Sequence, residues 1–205
     1  MINKIIKHIS SFFYENNIID KKDIEVYEYG LELLLTSIFD MLVVIVISLF
    51  AGRLFPTLLF LLCFCLLRVF AGGFHASTNF RCFLTLIFVY AIFLIFLNFV
   101  NSSIFGLISV IASLVSEILV LAFAPVDSEN RRLTEKEAKK YRTKSIIVVS
   151  VETLIVFILV ISIKNEYIFI SVSCGQLAAA LSLLAVKIIN IRGSKNEIVE
   201  KSNND

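Results

Sequence analysis

The pair of side chains in this 205-residue chain best suited to covalent chemistry is a histidine and a cysteine seven positions apart, His75 and Cys82. A thiolate attacks a carbonyl carbon, and an imidazole beside it takes the thiol proton and later returns it to a leaving amine. Seven residues of unbroken helix would hold the two Cα atoms about 10.5 Å apart, too far for a hydrogen-bonded pair. The chain must therefore bend between them if they act together. Gly72 and Gly73 permit a bend. Ser77, Thr78 and Asn79 are each good helix caps. With Thr78 as the cap, Cys82 falls just past the first turn of the following helix, where free backbone N–H groups and the neighbouring Arg81 favour negative charge. Backbone N–H groups near Gly73 or Cys82, or the Arg68 side chain, are the available donors to an oxyanion. On spacing alone the segment reads more readily as a tight interfacial loop with a cysteine used for packing.

The other reactive residues offer less. Cys63 and Cys65 are two apart in an apolar run, so on a helix they point in different directions, and Cys174 stands alone. No spacing matches a metal site, and no cofactor motif is present. Asp40, Glu117, Glu152 and Asp127 are the acids in or near apolar runs that could orient His75. Charged groups in such runs usually face protein, and packing accounts for each of them without a catalytic role. His8, the second histidine, lies beside the apolar face of the N-terminal segment and suits an interfacial position.

The elements that must position the pair follow from composition. Hydrophobic residues make up 58% of the chain, charged residues 18%, and the mean hydropathy is +0.89, more apolar surface than a soluble interior can hide. In lipid the backbone must satisfy its own polar groups, so helices are the default, and the apolar runs are too long for barrel strands. The expected fold class is all-α, a polytopic integral membrane protein with six transmembrane helices and an N-terminal amphipathic interfacial helix. Spans are expected near 31–50, 54–74, 82–100, 104–124, 145–163 and 167–189. Residues 1–29 form the membrane-surface segment, with Ile2, Ile5, Ile6, Ile9, Phe12 and Phe13 at helical spacing. Its start lacks the short apolar core and small-residue site of a cleavable leader. A six-helix domain then covers 30–190, with the segment 68–82 and a basic loop 127–144, and 191–205 is a tail.

Charge bias orients these spans. Only Arg53 and Lys164 fall at the turns on one side, whereas the loop 127–144 carries Arg131, Arg132, Lys136, Lys139, Lys140, Arg142 and Lys144. The positive-inside rule puts both termini, segment 68–82 and this loop in the cytoplasm. The basic loop has two readings, topology with headgroup contact or capture of an acidic stretch of a partner by Lys136, Lys139 and Lys140. Basic residues set between apolar spans argue against nucleic acid as a partner.

Arg68, the pair Gly72-Gly73, His75 with Ala76 after it, and Cys82 seven residues beyond resemble the motif of the accessory gene regulator protein B family, the membrane peptidases of peptide quorum sensing. The amphipathic start, the six spans and Ala124-Pro125 opening onto a basic loop extend the resemblance over most of residues 1–190. It implies that His75 and Cys82 are the catalytic pair of a cysteine endopeptidase in a bacterial cell membrane. It also implies a substrate, a signal pro-peptide lying at the inner leaflet of the phospholipid bilayer and cut on the C-terminal side of the signal. The product is a peptide whose carboxyl end is joined to an internal side chain, usually a cysteine, as a thiolactone. No cofactor is implied, and a homo-oligomer is left open. The competing reading is a peptide transporter or export channel without covalent chemistry. No ATP-binding motif and no clear internal duplication of spans support that alternative.

The charge bias yields a direct test of topology. A single cysteine at position 136, in a chain whose native cysteines are replaced, is expected to react with an impermeant maleimide only in opened cells. Labelling from the outside of intact cells would rule out the six-span arrangement.

Overall fold

A computed structural model describes residues 2–16, 18–72, 79–126, 134–163 and 165–204, with side chains described in those ranges except at 2–4, 79–81 and 189–204. Seven α-helices run through the described residues: α1 (Ile2–Glu15), α2 (Ile24–Phe50), α3 (Leu54–Ala71), α4 (Asn79–Phe99), α5 (Phe105–Phe123), α6 (Glu135–Ser162) and α7 (Glu166–Asn204). No strand occurs among them. Six of the seven, α2 to α7, are long and apolar enough to cross a membrane, as the apolar runs predict. The shortest, α3, has 18 residues, which at the helical rise spans about 27 Å, close to the thickness of a hydrocarbon core.

Helix ends are set locally. Gly52 closes α2 with φ 64, and Arg53 N–H donates to Ser48 O at 3.0 Å, a left-handed cap that glycine adopts without strain. The Asn101 side chain accepts from Ser103 N–H at 3.1 Å ahead of α5. Before α6, the Thr134 hydroxyl accepts from Glu137 N–H, and the Glu137 carboxylate accepts from Thr134 N–H at 3.0 Å. This reciprocal pair starts the helix ten residues ahead of its apolar run. Positions 135–144, expected as loop, are therefore helical. At the other terminus α7 continues as helix through the stretch expected as a tail. The expectations for residues 73–78 and 127–133, among them Gly73, His75, Asp127, Arg131 and Arg132, lie outside the described residues.

Around α7 the bundle is arranged as a post with a periphery. Within the apolar windows, 56% of α7 is buried, against 11% of α2 and 17% of α4, so α7 is central and those two are outlying. The most extensive contacts of α7 are with α5 and α3. Ser109, Ala112, Ser113 and Ser116 form a small-residue face on α5 that is fully or nearly fully buried, allowing close approach of helix backbones. A Cβ placed on Gly175 of α7 would collide with the Phe60 carbonyl oxygen of α3, so the two backbones touch there. Gln176, also buried, donates from Nε2 to Val149 O at 3.2 Å and to Thr153 Oγ1 at 2.9 Å, tying α7 to α6. Glu117 on α5 accepts from the Ser150 hydroxyl of α6 at 3.0 Å. Glu152 is buried at 4% exposure on α6. Both intramembrane glutamates thus face protein.

One apolar cluster joins Leu67 and Ala71 of α3 to Val120, Ala124, Val149, Ala180 and Leu183 toward the Cys82 end of the bundle. A second, aromatic cluster lies nearer the opposite end and includes Val44, Phe60, Tyr90, Phe93, Phe105 and Phe169. Arg53 closes that end, donating to Asn98 Oδ1 at 3.1 Å and lying 4.6 Å from the centre of the Tyr167 ring. At the other end α1 lies along the start of α2, and the Ser10 hydroxyl donates to Glu28 at 2.8 Å.

The contact of Gly175 with Phe60 predicts a sharp size limit. Gly175→Val should destabilise the bundle by about 1–3 kcal/mol through overpacking, read as a fall in Tm in detergent micelles. Gly106→Ala, whose added Cβ would meet only Val160 Cγ1 at 3.7 Å, should stay within about 1 kcal/mol of the parent. Equal Tm values for the two variants would contradict the close approach.

Candidate functional site

Cys82 is the fourth residue of α4, at the end of its first turn, where the spacing analysis expects it. Its side chain is half-buried and free of any disulfide. Along α4 it heads a stripe at helical spacing, Cys82, Leu86, Tyr90, Phe93 and Leu97. The first two are half-buried and the last three are buried.

Arg68 sits one turn before the end of α3, half-buried, with its guanidinium 5.5 Å from the centre of the Phe64 ring. It is within electrostatic reach of both Cys82 and Cys65. The structure therefore unites two residues that the sequence placed fourteen positions apart, and it adds Cys65, which spacing had assigned to packing alone. Arg68 continues a second stripe, Thr57, Phe60, Phe64 and Arg68, whose outlying half is again the buried one. The two stripes meet at the aromatic cluster. Phe60 stacks on Phe93 at 4.6 Å and on Phe64 at 6.1 Å, and the Thr57 and Tyr90 hydroxyls lie 2.9 Å apart in a hydrogen bond.

The segment that leads from Arg68 toward His75 leaves α3 through Gly72, with φ 79 and ψ −158. That conformation is open essentially only to glycine. It also makes room, because a Cβ there would sit 2.6 Å from the Val126 carbonyl oxygen. Val126 N–H in turn donates to Ala71 O at 3.1 Å. The end of α3 and the strand of chain leaving α5 through Ala124 and Pro125 are thus clasped backbone to backbone. Gly72, one of the two glycines that the sequence offers for a bend, adopts such a conformation. Gly73 and His75 lie outside the described residues.

The basic residues reach the same end of the bundle. Lys144 Nζ lies 5.2 Å from the Phe70 ring centre, and Arg142 donates to Leu121 O at 3.4 Å. Lys136, Lys139 and Lys140 are exposed on the first turns of α6. Glu117 and Glu152 lie in the α5–α6 contact and in the bundle interior; the histidine they were weighed against lies outside the described residues. Among the described residues no group of three histidine, cysteine or acidic side chains could hold a metal ion. The arrangement can place a sulfur nucleophile, a cation and the N–H groups of a helix start around one carbonyl group.

The family model described as Accessory gene regulator B matches residues 2–185. A protein of Clostridium perfringens named as AgrB-like is 28% identical over 173 residues, covering 82% of this chain and 79% of the relative. A protein of Clostridium beijerinckii named in the same way is 26% identical over 200 residues, covering 94% and 92%. No solved structure matches this chain.

The clasp at Gly72 gives its own expectation. Gly72→Ala must leave the glycine-only conformation and push Val126 away, at a cost of about 1–3 kcal/mol for the backbone alone. The Val126 amide should lose its protection in hydrogen exchange, while amides in the centre of α7 keep theirs. Unchanged protection at Val126 would show that the clasp is not formed in the membrane.

Proposed function

This chain belongs to the accessory gene regulator B family, and from that premise we propose that it is a membrane cysteine endopeptidase that processes a quorum-sensing pro-peptide. The observation that carries the reading is the placement of Cys82 on the first turn of α4, within electrostatic reach of Arg68, in the segment that also contains His75. Family membership supports a role in processing the signal peptide; the covalent steps below are the chemistry these residues can perform.

The Cys82 sulfur attacks the scissile carbonyl carbon on the C-terminal side of the signal, with its proton passing to His75. The carbonyl oxygen takes up negative charge and is held by N–H groups at the start of α4 and by the Arg68 guanidinium. Collapse of this intermediate breaks the C–N bond, and His75 returns its proton to the departing amine. The enzyme then holds the signal as a thioester. A thiol of the substrate attacks that thioester, loses its proton, and expels Cys82. One thioester bond forms as another breaks, so closure to a thiolactone is nearly balanced in free energy. A crevice poor in water suppresses the competing hydrolysis.

The substrate lies at the inner leaflet, with both termini of the enzyme and segment 68–82 on the cytoplasmic side, as the charge bias requires. Exposed Lys136, Lys139 and Lys140 serve to capture an acidic stretch of the pro-peptide.

Cys82→Ala should abolish cleavage, and Cys82→Ser should be nearly inactive because a hydroxyl is a much poorer nucleophile at neutral pH. His75→Ala removes the proton acceptor and should leave only a trace of activity that rises with pH. Cys63→Ala and Cys174→Ala should process substrate normally. Purified variants in lipid, the pro-peptide and mass spectrometry of both products provide the test. The adduct trapped on Cys82 should be cleaved by hydroxylamine, and the cyclic product should weigh one water less than the linear acid. Neutralising the three lysines together should raise KM with little change in kcat. Full cleavage by folded Cys82→Ala would end the reading of Cys82 as the peptidase nucleophile, whereas no cleavage by the parent chain would favour export without covalent chemistry.

A further inference from the structure

Two apolar clusters are stacked where α3, α6 and α7 meet. One joins Cys63 of α3, Val156 of α6 and Val172 of α7. The other includes Leu67, Val149 and Ala180 of the same three helices. Between Val149 and Val156 of α6 lies Glu152, and between Val172 and Ala180 of α7 lies Gln176. Glu152 precedes Val156 by four residues and Gln176 follows Val172 by four, so each continues the face on which its valine packs. The two helices are joined by a short turn after Ser162 and run antiparallel. Both steps therefore lead the same way, toward the second cluster. A polar layer is thus enclosed between two apolar ones.

Gln176 fixes the geometry of this layer. It is fully buried, and its Nε2 donates to Val149 O at 3.2 Å and to Thr153 Oγ1 at 2.9 Å. These acceptors belong to the turn of α6 that contains Glu152. Both amide hydrogens are thereby used, and Gln176 Oε1 has no hydrogen-bond partner among the described residues. Neither carboxylate oxygen of Glu152 has one, at 4% exposure. On the α3 side Glu152 is within electrostatic reach of Cys63, a member of the first cluster. Three unbonded acceptor oxygens therefore share one enclosed layer. An ionised acid in an apolar interior must be neutralised, so the layer calls for a positive charge.

We propose that Glu152 and Gln176 form a binding site for one alkali-metal cation, sodium or potassium, at the junction of α3, α6 and α7. Carboxylate and carbonyl oxygens are the ligands such ions take inside membrane proteins. One carboxylate balances one monovalent charge, whereas a divalent ion would leave a net positive charge buried. A proton would engage one carboxyl oxygen and the amide oxygen, leaving the third acceptor as it was. A metal ion engages all three. The site shares no residue with the proposed peptidase centre and does not depend on that reading. Its consequence is mechanical. Gln176 follows Gly175, the residue in backbone contact with Phe60. An ion that draws Glu152 and Gln176 together holds α6 against α7 at the level where α3 touches it.

The test uses the full chain in phosphatidylglycerol–phosphatidylethanolamine vesicles at one pH. Sodium, potassium or choline chloride is present on both sides at equal ionic strength. Dicyclohexylcarbodiimide enters lipid and modifies protonated carboxyl groups, and peptide mass spectrometry separates Glu152 from Glu117. Sodium or potassium at ten times its dissociation constant should slow modification of Glu152 about tenfold relative to choline. The more protective of the two identifies the ion. Modification of Glu117, already bonded to Ser150, should be the same in all three salts. In detergent micelles the same ion should raise Tm by about 3 °C. Glu152→Gln replaces the charge by an amide and should remove that dependence on salt. Equal modification of Glu152 in the three salts would mean that the carboxyl holds a proton only, and would overturn the proposal. Equal slowing at Glu117, or a Tm rise that persists in Glu152→Gln, would mark a general effect of salt and overturn it too. Should Glu152→Gln fail to fold, labelling of the parent chain in the three salts still decides.

Discussion

Phe60 is where the arrangement is held together. Its carbonyl lies against Gly175 of the central helix, which fixes α3 at backbone contact with α7. Its ring lies at 1% exposure between Phe93 of α4 and Phe64 one turn along its own helix. Phe64 in turn carries the Arg68 guanidinium. Through these contacts the position of α7 determines where α4 can lie, and hence where Cys82 stands relative to Arg68. Lipid gives no hydrophobic drive to bring helices together, so close packing of small and flat surfaces must do it. The glycine at 175 and the buried serines of α5 provide such surfaces.

The polar groups inside the bundle fall on the same logic. Gln176, Thr153, Glu117 and Ser150 are joined across helix pairs. Each such bond fixes the rotation of one helix against the next, which apolar contacts alone specify loosely. Arg53 does the same where α3, α4 and α7 come together at the far end. The bundle is therefore firm on the α3–α5–α6–α7 side. The least buried of the spans are α2 and α4, and α4 is the one that carries Cys82.

Much of this was legible in the sequence, and the reasons are specific. Six apolar runs of membrane length and a backbone with no alternative to self-pairing required six helices. Ser77, Thr78 and Asn79 all offered caps and the apolar run began near 82; α4 begins at Asn79, which puts Cys82 at the end of its first turn. The beginning of α6 was missed because seven basic residues between 131 and 144 read as a solvated loop, although Thr134 and Glu137 stand at the spacing of a capping box. The clasp of Gly72 on Val126 joins positions fifty-four apart in the chain, and no local pattern records such a meeting. Cys65 next to Arg68 was recorded by the helix period, three residues apart on one face of α3, but the cysteine was weighed only as a packing residue. Charge in the spans was read correctly as facing protein for Glu117 and Glu152.

The stretch between α5 and α6 is fastened at both ends by devices that do not depend on its own residues. Val126 is bonded to the Ala71 carbonyl at one end, and Thr134 closes its reciprocal pair with Glu137 at the other. A segment bounded in this way behaves as a cassette. The helices on either side are set independently of the stretch that joins them, so a chimera cut at 126 and 134 is expected to keep its scaffold. The same fastening sets a limit on drift: an insertion that reaches back past Val126 loosens the turn out of α3 as well.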